Sequence, residues 1–210
     1  PATNKKTGQL IVHHVEWQKD AEVVKNQWFM TDTGTMLSQL GLSQEPARPV
    51  MEGGVAEPVI VIAKGDEAEA ALVANYKREI EAFNKHDLTS AFANLSDKFV
   101  WSEASAPADL TDRATLEGQM KGMISAFSDL AMAPAWVGAA GPFVIAFGRF
   151  KGTNDGESAA MKMPKTGKAI DIGYYELQQY EGGKISHNWV FYNELAIPTQ
   201  LGLLGGGAPK

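Results

Sequence analysis

The feature that most constrains this chain is a short pattern that occurs twice. Gln39-Leu40-Gly41-Leu42 returns as Gln200-Leu201-Gly202-Leu203, and Trp28 returns as Trp189, both 161 positions later. Internal similarity at a fixed separation is typical of a repeated structural unit. In a chain of 210 residues, this separation leaves room for one complete unit and only the last part of another.

A third match indicates where the two copies differ in length. Lys6-Thr7-Gly8 returns as Lys165-Thr166-Gly167, at a separation of 159. Because turns accept insertions at low cost, we expect the two extra residues in the Gly182-Gly183 turn of the second copy. The sequence therefore predicts a complete unit over residues 66–204, and a fragment over residues 1–42 that matches its last third.

The fragment is expected to form extended strands over residues 6–32. A lone two-stranded hairpin is marginally stable in water, so its apolar side chains need a partner surface. We therefore favour the tail of a preceding domain of the same type, in a truncated or proteolysed tandem protein. The alternative is an N-terminal extension that docks on the complete unit. Residues 43–65, rich in Pro, Gly and Glu, predict a linker, and residues 205–210 a flexible tail.

Within the complete unit the hydrophobic periodicity changes from helical to alternating. Helical spacing predicts three helices, over residues 66–85, 87–95 and 112–127. Alternation and short apolar runs predict five strands, over residues 98–103, 131–138, 143–152, 169–180 and 184–193. This order predicts an α+β fold in which three helices pack in the concave side of a curved antiparallel sheet, forming a cone with an open mouth.

Composition excludes several classes of function. The chain has 25 acidic and 19 basic residues without a basic cluster, which argues against binding to nucleic acid or to an anionic membrane. Its apolar runs are far too short to span a bilayer. Without cysteine, and with only four histidines, it offers little for a metal site. We expect a soluble protein that holds no metal, and favour a cytoplasmic location.

Six short motifs then indicate a family. They are Asn84-Lys85-His86-Asp87, residues 126–130, residues 152–156, residues 163–168, Gly183-Lys184-Ile185 with Trp189, and Gln200-Leu201-Gly202. Their order resembles that of the SnoaL-like polyketide cyclases, also called ester cyclases, within the nuclear-transport-factor-2-like superfamily. The resemblance implies a pocket for a small apolar ligand inside the cone and a homodimer packed through the outer sheet face. It also implies ring closure by an intramolecular aldol condensation without cofactor or metal.

Such chemistry needs a base beside a carbonyl group and hydrogen-bond donors for the enolate oxygen. Glu176 is a candidate base if it points inward, where burial would raise its pKa; pointing outward, it is an ordinary surface charge. His187, with an ordinary pKa near 6.5, suits proton transfer, although a structural role is the alternative. Asn193 stands where the family pattern has Asp, and we expect it to orient a substrate carbonyl.

The candidate substrate-binding residues are mostly aromatic. We expect the last strand to present Ile185, His187, Trp189, Phe191 and Asn193 on one inward face. The other aromatic candidates, which either line a cavity or fill the core, are Trp101, Phe127, Trp136 and Tyr174. Glu103 is expected near the mouth. Arg149 either pairs with Glu176 or holds an anionic substrate group.

Three functional hypotheses follow. The first is a small-molecule pocket protein that acts as a cofactor-free cyclase or isomerase on an enolisable carbonyl compound. The second is a ligand-binding or dimerisation module of the same fold without catalysis. The third is an enzyme of the epoxide-hydrolase type, which would need an inward cluster of Asp and Arg to activate water.

Overall fold

The computed structural model describes residues 2–19, 22–53 and 57–204. Its elements in chain order are β1 (Val12–Trp17), β2 (Val24–Met30), α1 (Thr33–Gln39), α2 (Glu67–Asn84), α3 (Leu88–Ala91), β3 (Leu95–Glu103), α4 (Arg113–Ala126), β4 (Ala131–Ala140), β5 (Phe143–Thr153), β6 (Ala169–Glu181), β7 (Lys184–Phe191) and α5 (Ala196–Leu201). The predicted order of helices and strands over residues 66–191 is confirmed. The short helices α1 and α5 were not predicted.

Aspartate side chains determine where the helices of the complete unit begin. Asp66, Asp87 and Asp112 each accept a hydrogen bond from the backbone N–H three residues further on, at 3.0, 3.1 and 2.7 Å. Each therefore satisfies a backbone donor that the first turn leaves unpaired. The second helix, α3, is shorter than predicted because Leu95 already begins β3.

The five strands β3–β7 form one curved sheet in the order β3-β7-β6-β5-β4. All neighbouring strands are antiparallel except β3 and β7, which are parallel. The main core lies between the concave face of this sheet and the helices. Its largest fully buried side chains are Tyr76, Phe99, Phe127, Leu116, Leu130 and Ile170. The predicted α+β cone is confirmed.

A β-bulge in β7 changes which side chains face the core. Tyr180 pairs with Ile185, but Gln179 pairs with His187, so Ser186 is an extra residue in the strand. Because side chains alternate with a period of two, one extra residue moves the following side chains to the opposite faces. Ile185 is buried in the main core, whereas the odd-numbered residues after it lie on the outer face. The expectation that the last strand presents them inward is wrong.

The strands β1 and β2 form a separate antiparallel hairpin, which packs on the outer face of the sheet. The His14 ring lies 4.9 Å from the Phe147 ring and 6.2 Å from that of Tyr175. Trp28 stacks on Phe147 at 6.0 Å. These contacts supply the partner surface that a two-stranded hairpin requires.

The remaining segments carry little regular structure. Within the described part of residues 43–65 there is no helix or strand. The predicted tail, residues 205–210, lies outside the described residues. Among the helices that the structure describes, none has both the length and the apolar character needed to cross a bilayer.

Candidate functional site

A group of polar side chains lies buried between α2 and the concave face of the sheet. We call it the concave polar cluster; its members are Tyr76, Glu79, Asn94, Tyr174, Glu176, Gln178, Tyr180 and Asn188. Tyr76 and Glu79 are three residues apart on α2 and so share one helix face. The members from β6 alternate along that strand and so share the concave face of the sheet.

Glu176 is the cluster's carboxyl with the most unusual environment. Its side chain is almost completely buried, and its Oε2 accepts a hydrogen bond of 2.9 Å from the Tyr76 hydroxyl. Burial raises the pKa of Glu176 to about 7; the hydrogen bond from Tyr76 opposes this shift, and the charge of Glu79 adds to it. A carboxyl group with a pKa near neutrality can both take a proton and return it.

Glu79 is a second buried carboxyl, but its oxygens are already engaged. They accept hydrogen bonds from the side-chain amides of Asn94 at 3.0 Å and Gln178 at 3.1 Å. The Tyr180 hydroxyl lies 3.5 Å away. Burial raises the pKa of Glu79, whereas these hydrogen bonds lower it. Glu79 therefore acts as the structural anchor of the cluster, while Glu176 keeps accepting capacity.

Tyrosine hydroxyls supply the donors of the cluster. The Tyr76 and Tyr174 hydroxyl oxygens lie 3.3 Å apart. Burial raises the pKa of Tyr76, Tyr174 and Tyr180 well above the ordinary value, so all three remain neutral at physiological pH. Neutral phenols can donate a hydrogen bond to a developing oxyanion.

The Asn188 side chain is completely buried and unusual in its bonding. Neither its amide nitrogen nor its oxygen has a hydrogen-bond partner among the described residues, although the amide is near enough to Glu176 to lower the pKa of that carboxyl. Leaving a buried polar group unpaired costs about 1–3 kcal/mol. A water molecule or a polar ligand group beside Asn188 would remove this cost.

Five of the predicted site residues lie on the concave side. Glu176 and Tyr174 belong to the polar cluster, so Glu176 points inward, which is the first of the two orientations considered for it. Phe127 is fully buried in the core. Trp101 is half-buried and meets Phe92 edge to face at 6.1 Å. Glu103, at the end of β3, accepts hydrogen bonds from Ser105 and Tyr192.

His187 lies on the outer face of the sheet, outside the cone. Its Nε2 is 2.8 Å from the Ser102 hydroxyl oxygen, and its ring stacks on Trp189. The Ser102 hydroxyl donates its single hydrogen to Asp109 at 2.8 Å, so His187 is the donor to Ser102. This is a chain of structural hydrogen bonds, and no activated serine nucleophile results.

The other predicted aromatic contacts also lie on the outer face. Trp136 is about half exposed and stacks on Phe147 at 5.8 Å, and Phe191 packs against Tyr175. Their expected position in the pocket, like that of Trp189, is wrong: Trp189 and Phe191 follow the Ser186 bulge, and Trp136 stands on the face that the hairpin covers.

Arg149 pairs with neither Glu176 nor a site in the cone. Its Nε donates to the Asp171 carboxylate at 2.7 Å on the outer surface. The bulge lies in β7 and does not affect β5. Arg149 faces outward because it pairs with Gly173, whereas the next residue on β6, Tyr174, points to the concave side.

Asn193 lies in the loop after β7, at the contact with the N-terminal segment. Its amide nitrogen is 3.5 Å from the Thr33 hydroxyl oxygen, and its side-chain oxygen accepts a hydrogen bond of 3.2 Å from the Leu195 N–H. Asn193 makes no hydrogen bond to the concave polar cluster.

Two surface cavities lie away from the concave polar cluster. One of about 430 Å³ lies between the α2–α3 turn and α4, and its lining residues are His86, Asp87, Leu88, Thr89, Glu117, Lys121, Ile124 and Ser125. The other, of about 520 Å³, lies beside the tip of the hairpin and includes Glu16 and Trp17.

Over residues 2–19, 22–53 and 57–204, no group of three or more His, Asp or Glu side chains is arranged to hold a metal ion.

The sequence model of the SnoaL-like polyketide cyclase domain matches residues 74–201, more than half of the chain. The chain belongs to the SnoaL-like polyketide cyclase family. The matched range contains the concave polar cluster and excludes the hairpin. No curated protein matches the sequence.

Several solved structures share the fold of this chain. AclR from Streptomyces galilaeus, a proposed hydroxylase, is 23% identical with a TM-score of 0.58, covering 65% of this chain and 98% of its own. A proposed SnoaL-like polyketide cyclase from Jannaschia sp. CCS1 is 17% identical (TM-score 0.59; 69% and 97% covered). IdmH from Streptomyces antibioticus, a proposed polyketide cyclase, is 20% identical (TM-score 0.52; 63% and 97%). At these identities the likeness establishes the fold.

Several members of the concave polar cluster of this SnoaL-like domain were not predicted from the sequence. Glu79 was detectable as an acid on the apolar stripe of α2, three residues after Tyr76. Gln178 and Tyr180 continue the alternation that carries Glu176. Asn188 was not detectable, because only the Ser186 bulge turns it inward.

Proposed function

We propose that this SnoaL-like chain binds a small enolisable carbonyl compound on the concave side of its sheet and moves a proton on it, as a cyclase or isomerase that needs no cofactor. The observation that carries the proposal is the buried Glu176 carboxyl, with a pKa of about 7 and the Tyr76 hydroxyl 2.9 Å from it. The family assignment supports a small-molecule cyclase or isomerase in general terms.

In the proposed reaction, ionised Glu176 takes the proton from the carbon next to the carbonyl group. The electron pair of that C–H bond forms the carbon–carbon double bond of an enolate, and the carbonyl pair moves onto oxygen. Tyr76 and Tyr174 donate hydrogen bonds to that oxygen, and as neutral phenols they are suited to this role.

The reaction ends in one of two ways. In an isomerase, protonated Glu176 returns the proton to another carbon of the same conjugated system. In a cyclase, the enolate carbon attacks a second carbonyl carbon of the molecule, and the resulting alkoxide takes the proton from Glu176. Either way the carboxylate is regenerated and no redox partner is consumed.

The unpaired Asn188 amide supports binding of a polar group beside Glu176. A substrate carbonyl oxygen can accept from its nitrogen, which removes the cost of the unpaired donor. Because the cluster is closely packed, a substrate that binds there breaks the Tyr76–Glu176 hydrogen bond and makes its own contacts with both side chains.

The test is enzyme-catalysed deuterium exchange at the α-carbons of a panel of cyclic diketones and β-keto esters, followed by NMR. Replacing the base, Glu176→Gln, is expected to lower the exchange rate by about 10²-fold or more, since general-base catalysis contributes about that much. The matched control is Glu181→Gln, a carboxyl on the same strand at an exposed position, which is expected to keep the wild-type rate.

A non-catalytic binding module is the second candidate, favoured by Asn193, which stands where the family pattern has Asp and whose amide cannot take a proton. For this candidate, panel compounds raise the melting temperature of the wild-type chain but do not exchange above the buffer rate. Exchange that is equally fast in wild type and Glu176→Gln would contradict the proposed base.

A further inference from the structure

The hairpin and helix at the N-terminus repeat the end of the complete unit in structure as well as in sequence. Lys25 is the extra residue of a bulge in β2, and Ser186 is the extra residue of the bulge in β7, 161 positions later. A bulge is a specific irregularity, so its recurrence at the same separation as the Trp28 and Trp189 match is strong evidence of equivalence.

A second shared feature joins the helix to the start of the hairpin. The Gln39 side chain forms two hydrogen bonds with the backbone of Gly8, at 3.0 and 2.9 Å. The Gln200 side chain forms the same two with the backbone of Asp171, at 2.7 and 3.1 Å. In both segments a glutamine late in the final helix therefore binds backbone near the start of the hairpin, since Gly8 lies shortly before β1 and Asp171 is the third residue of β6.

The two segments differ in the turn between their strands. The turn that separates Trp17 from Val24 is two residues longer than the one that separates Tyr180 from Ile185. The extra residues lie in the first copy, so the expectation that they lie at Gly182-Gly183 is wrong. The Lys6-Thr7-Gly8 match falls in the segment that precedes the strand, where further length differences are tolerated.

The contacts between the two segments are reciprocal. Asp32 corresponds to Asn193, and Thr33 corresponds to Glu194. The Asp32 carboxylate accepts from the Glu194 N–H at 3.0 Å, and the Asn193 amide nitrogen lies 3.5 Å from the Thr33 hydroxyl oxygen. Contacts that recur with the partners exchanged are typical of a two-fold interface between like units.

The two segments also differ in how far the face that corresponds to the concave side of the sheet is covered by other residues. Tyr180 and Ile185 are 5% and 3% exposed, whereas the equivalent Trp17 and Val24 are 62% and 41% exposed. Phe29 on β2 is also exposed. Within the described residues, β1 and β2 pair only with each other, whereas β6 and β7 are flanked by β5 and β3.

We infer that this bare side of the hairpin is an interface for a polypeptide equivalent to residues 66–153 of a second copy of the unit. Helices equivalent to α2 and α4 cover Trp17, Val24 and Phe29, and strands equivalent to β5 and β3 pair with the two free edges. The hairpin then belongs to a second cone, packed on the first through their outer sheet faces. This inference does not depend on the proposed catalytic function.

The test is a full chain that carries a second copy of residues 66–167 fused ahead of residue 4. Hydrogen exchange of the backbone amides in residues 12–30 is expected to slow by about tenfold or more relative to the unfused chain, because new strand pairing protects them. Iodide quenching of Trp17 fluorescence, identified by comparison with Trp17→Phe, is expected to be lost.

The control uses Val24→Asp, which is tolerated in the unfused chain because the side chain is exposed. In the fused chain this change is expected to abolish the added protection. An unfolded added segment with unchanged exchange of residues 12–30 would overturn the inference. So would self-association of the unfused chain that protects Trp17, because a second copy of this chain would then be the occupant.

Discussion

The two faces of the five-stranded sheet bury different kinds of chemistry, although the same strands build both. Along β6, Tyr174 and Glu176 face the concave side, whereas Tyr175 and Leu177 face outward. The concave side encloses the Glu176 carboxyl, whose pKa is raised by burial and further by the charge of Glu79. The outer side holds aromatic contacts under the hairpin, with the Arg149–Asp171 ion pair at an exposed position. Alternation along one strand therefore separates a reactive site from an interface.

The largest expected effect is the loss of packing on the concave side. Phe127 is fully buried, so Phe127→Ala is expected to lower the free energy of unfolding by about 3–5 kcal/mol. On the outer face, Phe147 is half-buried, and Phe147→Ala is expected to cost about 1–2 kcal/mol, mainly through the contacts with His14 and Trp28. Urea unfolding of both variants measures the two costs.

Equal costs of the two substitutions would mean that both faces of the sheet contribute alike to stability. Hydrogen exchange distinguishes the two faces further, because Phe147→Ala is expected to remove the protection of β1 and β2 while leaving α4 protected. Equal loss of protection in the hairpin and α4 would mean that the two faces unfold as a single cooperative unit.

The next effect is the pH dependence that Glu176 gives to stability. Between pH 4.5 and 7 the folded chain keeps the Glu176 proton that the unfolded chain has already released. Its contribution is therefore fully present below pH 4.5 and is lost as the pH rises through 7; a shift of this size is worth about 3 kcal/mol. Glu176→Gln is expected to be less sensitive to pH in this window, as measured by urea unfolding at pH 4.5, 6 and 8.

Glu194 provides the matched control for this measurement. Partial burial and the neighbouring Asp32 charge raise the pKa of Glu194 to about 7, so its contribution has the same sign. Glu194 is exposed overall, so solvent screens it, and Glu194→Gln is expected to change the pH dependence less than Glu176→Gln does. The opposite order would mean that the acids beside the hairpin, rather than the concave cluster, dominate the titration.

The smallest expected effect concerns Asn188. Replacing the unpaired amide by an apolar group of similar size, Asn188→Leu, is expected to raise the free energy of unfolding by about 1 kcal/mol, because an unsatisfied buried group is removed. Thermal unfolding of the two chains checks this. A clear destabilisation would indicate that water already pairs the amide in the free protein.

Most of the fold, but less of the candidate site, could be predicted from the sequence. Helical spacing and alternation located the three helices and five strands of the complete unit, since these periods reflect which face is buried. Asp66 and Asp112 could be predicted as N-caps because each directly precedes a segment with helical spacing of apolar residues. The seven-residue α1 and the six-residue α5, which were not predicted, are too short to produce a clear period.

The site depended on features that a sequence pattern does not contain. The predicted pocket positions of His187, Trp189 and Phe191 are wrong. The bulged residue Ser186 moves every side chain after it on β7 to the opposite face of the sheet. Trp136 was misplaced because the outer face is itself a covered surface, under the docked hairpin, and Arg149 because alternation along β5 turns it to that outer face. Glu176 was found because its alternation with Ile172 and Tyr174 survives unbroken along β6.

Titration of Glu176 itself shows whether the concave side holds a base that is tuned to neutral pH. Carboxyl carbon chemical shifts of glutamate-labelled full chain, followed by NMR from pH 3 to 9 and assigned with Glu176→Gln, report its protonation. We predict an apparent pKa near 7 for Glu176, coupled to the titration of Glu79. A Glu176 carboxyl that titrates near its ordinary value of 4.5 would contradict the account, because the concave side would then hold no base tuned to neutral pH.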